Sequence, residues 1–142
     1  MHKLTVLLGL VWFVAALSIL AADKPRETRC YELRTYYAAP DKLEALNARF
    51  RTHTTRIFEK HGMDNIGYWT PMDRDKGADN TLVYIVAHKN KEAATASWKS
   101  FRDDPVWVAA RKASEEKAGG SLTVPDGVKS VFMVPTDYSP TK

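Results

Sequence analysis

Residues 81–88, TLVYIVAH, carry apolar side chains on both parities, the pattern of a strand covered on both faces. Residues 29–37, RCYELRTYY, alternate instead. Tyr31, Leu33, Thr35 and Tyr37 share one parity, and Cys30, Glu32, Arg34 and Tyr36 share the other. Successive strand side chains point to opposite faces, so this pattern predicts that the first set meets a helix layer and the second faces wetter surroundings. Pro40 and Asp41 open a predicted helix reaching about His61, proline suiting the first turn and Asp41 the positive end of the dipole. Leu43, Leu46, Phe50, His53 and Ile57 recur at spacings of three and four, Phe58 widens the stripe, and Gly62 follows as the stop.

Residues 63–71, MDNIGYWTP, read as a second strand, and residues 72–80 as a polar turn. Residues 91–101 form the next helix, with Ala94, Trp98 and Phe101 at helical spacing. Asp104-Pro105 interrupts it, and residues 106–117 make a further helical stretch. Turn signals at Gly119-Gly120 and Pro125-Asp126-Gly127 precede a last strand at residues 128–134. The order β-α-β-β-α-β is the ferredoxin-like split βαβ arrangement, an α+β fold whose antiparallel four-stranded sheet carries its helices on one face. The other face would then expose Arg34, Tyr36 and apolar rows from the third and fourth strands. An apolar patch of that size marks an interaction surface, and two such sheets packed face to face predict a homodimer with a shared interior.

Residues 4–20 lack charge, follow His2-Lys3 and precede Ala21-Ala22-Asp23-Lys24. That is the pattern of a secretory signal peptide, so residues 1–22 are expected to be removed and the rest exported, to a periplasm or the exterior. The alternative is an uncleaved anchor, the run being at the short end of a membrane span, and it is the sole membrane link expected. The remainder, residues 23–142, is one domain with a core at residues 29–135. Within 142 residues, 44% hydrophobic and 27% charged, there is room for one domain of this kind and not two. Losing Lys3 would leave 20 of the 21 Lys and Arg against 17 Asp and Glu, a formal net charge of +3. The basic residues are interleaved with acidic ones, without the basic stripe of a nucleic-acid binder. Cys30 is the one cysteine, which excludes an internal disulfide; burial as a small hydrophobe or a link between two subunits remains open.

Four segments, YELRTY at residues 31–36, HGMDNIGYWTP at 61–71, SWKSFRDDPVW at 97–107 and PTDYSP at 135–140, occur in an order that resembles the NIPSNAP family of the dimeric α/β barrel superfamily. The resemblance spans nearly the whole chain after the leader. It implies a ferredoxin-like protomer pairing into a barrel-like dimer. It supplies no reaction, because the family has no generally established catalytic residues. Relatives in the wider superfamily include cofactor-free monooxygenases, haem-degrading enzymes and isomerase-like proteins, and fold-level analogy is a weak guide to chemistry.

His53 is the sharpest candidate residue. In an apolar helical stripe it could carry protons or ligate haem, or it could be a partly buried histidine bonded to a nearby carbonyl. Glu32, Arg34 and Tyr36, expected to point into the dimer interior, could orient a polar substrate, with Arg34 holding an anionic or carbonyl group. Glu32 and Arg34 could equally form a pair that only neutralises buried charge. Trp69 and Trp107 could wall a cavity, whereas Trp98 and Phe101 have the spacing of core anchors. The turn Asp73-Arg74-Asp75-Lys76-Gly77-Ala78-Asp79 has Lys76 where a calcium loop needs a third oxygen ligand, so it reads as a solvated turn. No GxSxG, HExxH, P-loop or dinucleotide fingerprint occurs, and neither a cofactor nor a metal is expected. The sequence therefore predicts an exported homodimer that binds a small, largely apolar molecule through Glu32, Arg34, Tyr36, His53, Trp69 and Trp107. The alternatives are a cofactor-free monooxygenase or isomerase-like enzyme using His53 with Arg34 and Tyr36, and a purely structural interaction module.

Overall fold

A computed structural model describes residues 29–141; the predicted leader at residues 1–22 lies outside them. The elements run β1 (Cys30–Ala38), α1 (Leu43–Arg49), a π-helical turn (Phe50–Thr54), α2 (Thr55–Lys60), β2 (Asp64–Trp69), β3 (Thr81–His88), α3 (Lys91–Asp103), α4 (Pro105–Lys117) and β4 (Thr123–Met133). The strands form one sheet in the order β2-β3-β1-β4, every pair antiparallel. This is the ferredoxin-like α+β architecture expected from the element order, and the sheet does not close on itself.

The core lies between one sheet face and the helices, where Leu46, Phe50, Ile57, Phe58, Met63, Leu82, Tyr84, Val86, Trp98, Phe101 and Leu122 are buried together. Phe58 is its hub, its ring 4.9 Å from Phe101, 5.3 Å from Trp98 and 5.9 Å from Tyr84 between centroids. Asn90 caps α3 by accepting from Ala93 N. Asp104 caps α4, with proline in the first turn. The Asp104 carboxylate also receives Lys60 Nζ and His61 Nε2, each at 2.7 Å, tying the end of α2 to the α3–α4 junction. Gly62 adopts φ 75° past the end of α2, the left-handed conformation glycine was expected to supply there.

Three expectations are corrected. The first concerns the faces of β1. Glu32, Arg34 and Tyr36 face the helices, and Leu33, Thr35 and Tyr37 face the open side. Pairing shows why: Arg34 is opposite Tyr84 of β3, and Glu32 opposite Val86, both core residues. The polar set belongs inside because the helix layer brings it hydrogen-bond partners, and satisfied polar groups are stable when buried.

The second concerns the first helix. Asp41 has φ 60° and sits in a turn, and the helix begins at Leu43 with Glu44 as the acidic residue of its first turn. Midway, the π turn inserts a residue into the repeat. The wider turn rotates Thr54, 1% exposed, into the inward position and leaves His53 on the surface. The hydroxyls of Thr54 and Thr55 bond the carbonyls of Arg49 and Phe50, five residues back.

The third concerns β4, which begins at Thr123. Pro125-Asp126-Gly127 is an irregularity within the strand, opposite the register shift between Tyr36 and Ala38. A Cβ on Gly127 would lie 2.8 Å from Val124 O and 2.9 Å from Tyr37 O, so only glycine permits the approach. Cys30 is a free, buried thiol, and burial pushes its pKa up.

Phe58→Ala should lower unfolding stability by about 3–5 kcal/mol, the usual cost of deleting a buried ring. Urea titration followed by far-ultraviolet circular dichroism measures it.

Candidate functional site

Strand β1 has β3 on one side and β4 on the other, with helices over its inward side chains. Glu32 is 1% exposed and takes four side-chain partners there. Arg34 Nη1 at 2.6 Å and Ser130 Oγ at 2.5 Å donate to Oε1. Trp98 Nε1 at 2.5 Å and His88 Nε2 at 3.0 Å reach Oε2. An ionised carboxylate only accepts, so His88 carries its proton on Nε2, and its buried Nδ1 has no partner. Burial alone would raise the Glu32 pKa, but the hydrogen bonds from His88, Ser130, Trp98 and Arg34 prevail and bring it to about 2.

Arg34 continues from this cluster toward the β4 side of the helix layer. Its guanidinium lies 4.2 Å from the Trp98 ring and 5.6 Å from the Tyr36 ring. Burial opposes its charge, yet Tyr84, Tyr36 and Glu32 outweigh that effect and push its pKa up. Arg49, 6% exposed at the last position of α1, approaches from the opposite side. Its guanidinium is 5.1 Å from the Trp107 ring, with Nη1 at 3.4 Å from Ser114 Oγ and 3.7 Å from Glu115 Oε1. Burial pulls its pKa down, with Glu115 the leading opposing influence. The Nε groups of Arg34 and Arg49 are buried and without a hydrogen-bond partner. Leaving one such group unpaired typically costs about 1–3 kcal/mol.

These groups border a cleft of about 250 Å³ between the sheet and α3–α4, lined by Arg34, Tyr36, Arg49, Trp98, Trp107 and Arg111 among others. Trp107, Arg111 and Glu115 share its wall because they succeed one another at four-residue steps on α4. Arg111 Nε donates to Glu115 at 3.1 Å. The cleft is thus flat-walled, aromatic and positively charged, able to stack a planar molecule and donate hydrogen bonds to it.

Of the six residues proposed from sequence, Arg34, Tyr36 and Trp107 line this cleft, and Glu32 stands directly behind Arg34. The structure does not bring His53 and Trp69 to it. His53 is exposed and lines a separate groove with Ala45, Ala48, Ala110 and Ala113, so it does not form a unit with Arg34 and Tyr36. Trp69 lies on the open sheet face, 52% exposed, and its ring covers Gly67. Sequence reasoning missed Arg49, Arg111, Ser130 and His88 and gave Trp98 a purely structural role. The four-residue spacing of Trp107, Arg111 and Glu115 was a signal available in the sequence. The burial of Arg49 was not, because it depends on Trp107, Ser114 and Glu115 of α4, distant in sequence.

The fold and the polar cleft define an open-sheet ferredoxin-like α+β protein with its candidate site between sheet and helices. The chain belongs to the NIPSNAP family, whose sequence profile matches residues 31–140. Among solved structures it is similar to a NIPSNAP family protein of unknown function from Agrobacterium tumefaciens str. C58, with 20% identity over 82% of this chain and 96% of that one and a TM-score of 0.67. It is also similar to a NIPSNAP-like domain protein from Burkholderia xenovorans, at 18% identity over 80% and 90% and a TM-score of 0.65. A monooxygenase from the Streptomyces coelicolor gene ActVA-Orf6, in complex with nanaomycin D, is more distant, at 13% identity over 82% and 95% and a TM-score of 0.53. At these identities the likeness establishes a shared fold. No curated protein matches the chain.

The folded-state pKa of Glu32, about 2, lies below the ordinary glutamate value of about 4.3. Its contribution to stability is present above the ordinary value and is lost as pH falls from there toward 2. Asp104, whose pKa is lowered by Lys60 and His61, adds to the same acid loss. Glu32→Gln should be less stable at pH 7 and show a shallower fall below about pH 4.3 in urea titrations across pH. Trp98→Phe, which removes one donor to the carboxylate, should cost about 1.5–3 kcal/mol by the same measurement.

Proposed function

We propose that this NIPSNAP-family protein is exported, pairs through its open sheet faces into a dimeric α/β barrel, and binds a small, largely apolar molecule. The binding site is the cleft between sheet and helices, not the space between the two sheets. The observation that carries this reading is the cleft's composition: Tyr36, Trp98 and Trp107 supply aromatic walls, and half-buried Arg34 and buried Arg49 supply polar donors beside them. Aromatic surface beside convergent polar groups in one concavity is what orients a small molecule there.

Pairing is supported by the face of the sheet that the helices leave uncovered. Ile66, Trp69 and Val131 are 42%, 52% and 56% exposed there. Gly67, Ile85, Leu33 and Val131 run across it as one cross-strand row. Export is supported by the uncharged run at residues 4–20 behind Lys3. Among the described residues no helix is long and apolar enough to cross a membrane.

Titration with 2-naphthamide, a neutral planar probe, should quench tryptophan fluorescence saturably. Trp107→Ala should weaken binding about tenfold, the scale of one lost aromatic contact, and Trp69→Ala and His53→Ala should leave it unchanged. Non-saturable quenching, or a Trp107→Ala variant that binds as well as the parent, rejects the cleft as the site. Light scattering at micromolar concentration should give twice the monomer mass, and Val131→Asp should give a folded monomer. A monomeric parent protein would refute the pairing.

A further inference from the structure

We infer that the cleft takes a planar aromatic molecule carrying a carboxylate, which the guanidinium groups of Arg34 and Arg49 hold. This rests on the reading of the cleft as a binding site and adds the chemical class of its ligand. The argument begins with charge. Arg34, Arg49, Arg102 and Arg111 line the cleft, against Glu115 in its wall and Glu32 behind Arg34. Four guanidinium groups thus face two carboxylates, and the surplus is positive. A cation would be repelled, and a neutral ligand would leave that surplus uncompensated.

The donors narrow the chemistry. Arg34 Nη1 is held by Glu32, and Arg49 Nη1 faces Ser114 and Glu115. Each guanidinium keeps a second Nη group beyond these contacts, and Arg49 is nine-tenths buried. These donors come from different elements, β1 and α1. Two donors of this kind suit the two oxygens of one carboxylate, and a charge-assisted hydrogen bond is roughly twice as strong as a neutral one. A polyanion such as a phosphate ester chain would need a broad basic surface, whereas this cleft measures about 250 Å³ and is walled by Trp98 and Trp107. Those rings, already stacked against guanidinium groups, place flat apolar surface next to the donors.

The test pairs 2-naphthoate with 2-naphthamide, which match in shape and differ in charge. By calorimetry on the folded protein, 2-naphthoate should bind about tenfold or more tightly, and raising the salt concentration should reduce that preference. Arg49→Gln should reduce the ratio of 2-naphthoate to 2-naphthamide affinity to near one. Arg34 also pairs with Glu32, so its loss can disturb folding. A second readout therefore uses the parent protein, in which the Arg34 and Arg49 Nε–H resonances should shift on adding 2-naphthoate and move much less with 2-naphthamide. If 2-naphthamide binds as tightly as 2-naphthoate, or the two Nε–H resonances stay still while 2-naphthoate binds, the carboxylate assignment is overturned and the cleft remains a site for neutral molecules. If neither compound binds at millimolar concentration, the cleft reading and this inference fail together.

Discussion

An ionised carboxylate with 1% of its surface exposed is tolerable only where hydrogen bonds replace the water it has lost, and Glu32 obtains them from four directions. The donors come from its own strand, from β3, from α3 and from β4. They therefore connect most of the sheet to one helix of the layer above. The network also decides which face of β1 is the inner one. Turning the strand over would place Tyr31 and Leu33 beneath the helices and leave Trp98 Nε1, His88 Nε2 and Arg34 without their acceptor. In a close-packed interior those losses exceed the gain from burying two more apolar side chains.

The π turn has a comparable influence on the first helix. By adding one residue to the repeat it sets Thr54 against the core and turns His53 outward. π turns inside helices are often found at functional sites, because the insertion aims a side chain that a regular repeat would not. Arg49 itself precedes the turn, on the regular repeat that buries Leu46 three residues earlier. Its place between Trp107, Ser114 and Glu115 completes the cleft that Arg34 begins.

The two faces of the sheet accordingly divide the work. The inner face, through Glu32, Arg34, Tyr36 and Tyr84, carries the charges and the unpaired donors. The outer face, through Leu33, Ile66, Trp69, Ile85 and Val131, carries apolar surface almost alone. Pairing through the outer face would leave the cleft open, since the cleft lies on the other side of the sheet. Ligand capture and subunit association would then be independent of one another, unlike in an arrangement where the ligand fills the space between two sheets.

The strand and helix order, the antiparallel ferredoxin-like topology, the glycine stop after α2, the α3–α4 break and family membership were all legible in the chain itself. Each depends on local chemistry or on motifs contiguous in sequence: the apolar run on both parities of β3, the Asp104-Pro105 interruption, and Gly62 as the helix stop. Arg34, Tyr36 and Trp107 were recognisable as site candidates because polar and large aromatic residues interrupt an otherwise apolar pattern. Which way β1 faces was not legible, because both of its parities contain tyrosine and the deciding partners of Glu32 lie 56, 66 and 98 residues away. The orientation of His53 was hidden for a similar reason, since a single inserted residue in a helix leaves the apolar spacing almost unchanged while rotating one side chain from core to solvent. Periodicity thus determined what the elements are, and long-range hydrogen bonding beneath a packed helix layer decided which side chains meet in the cleft.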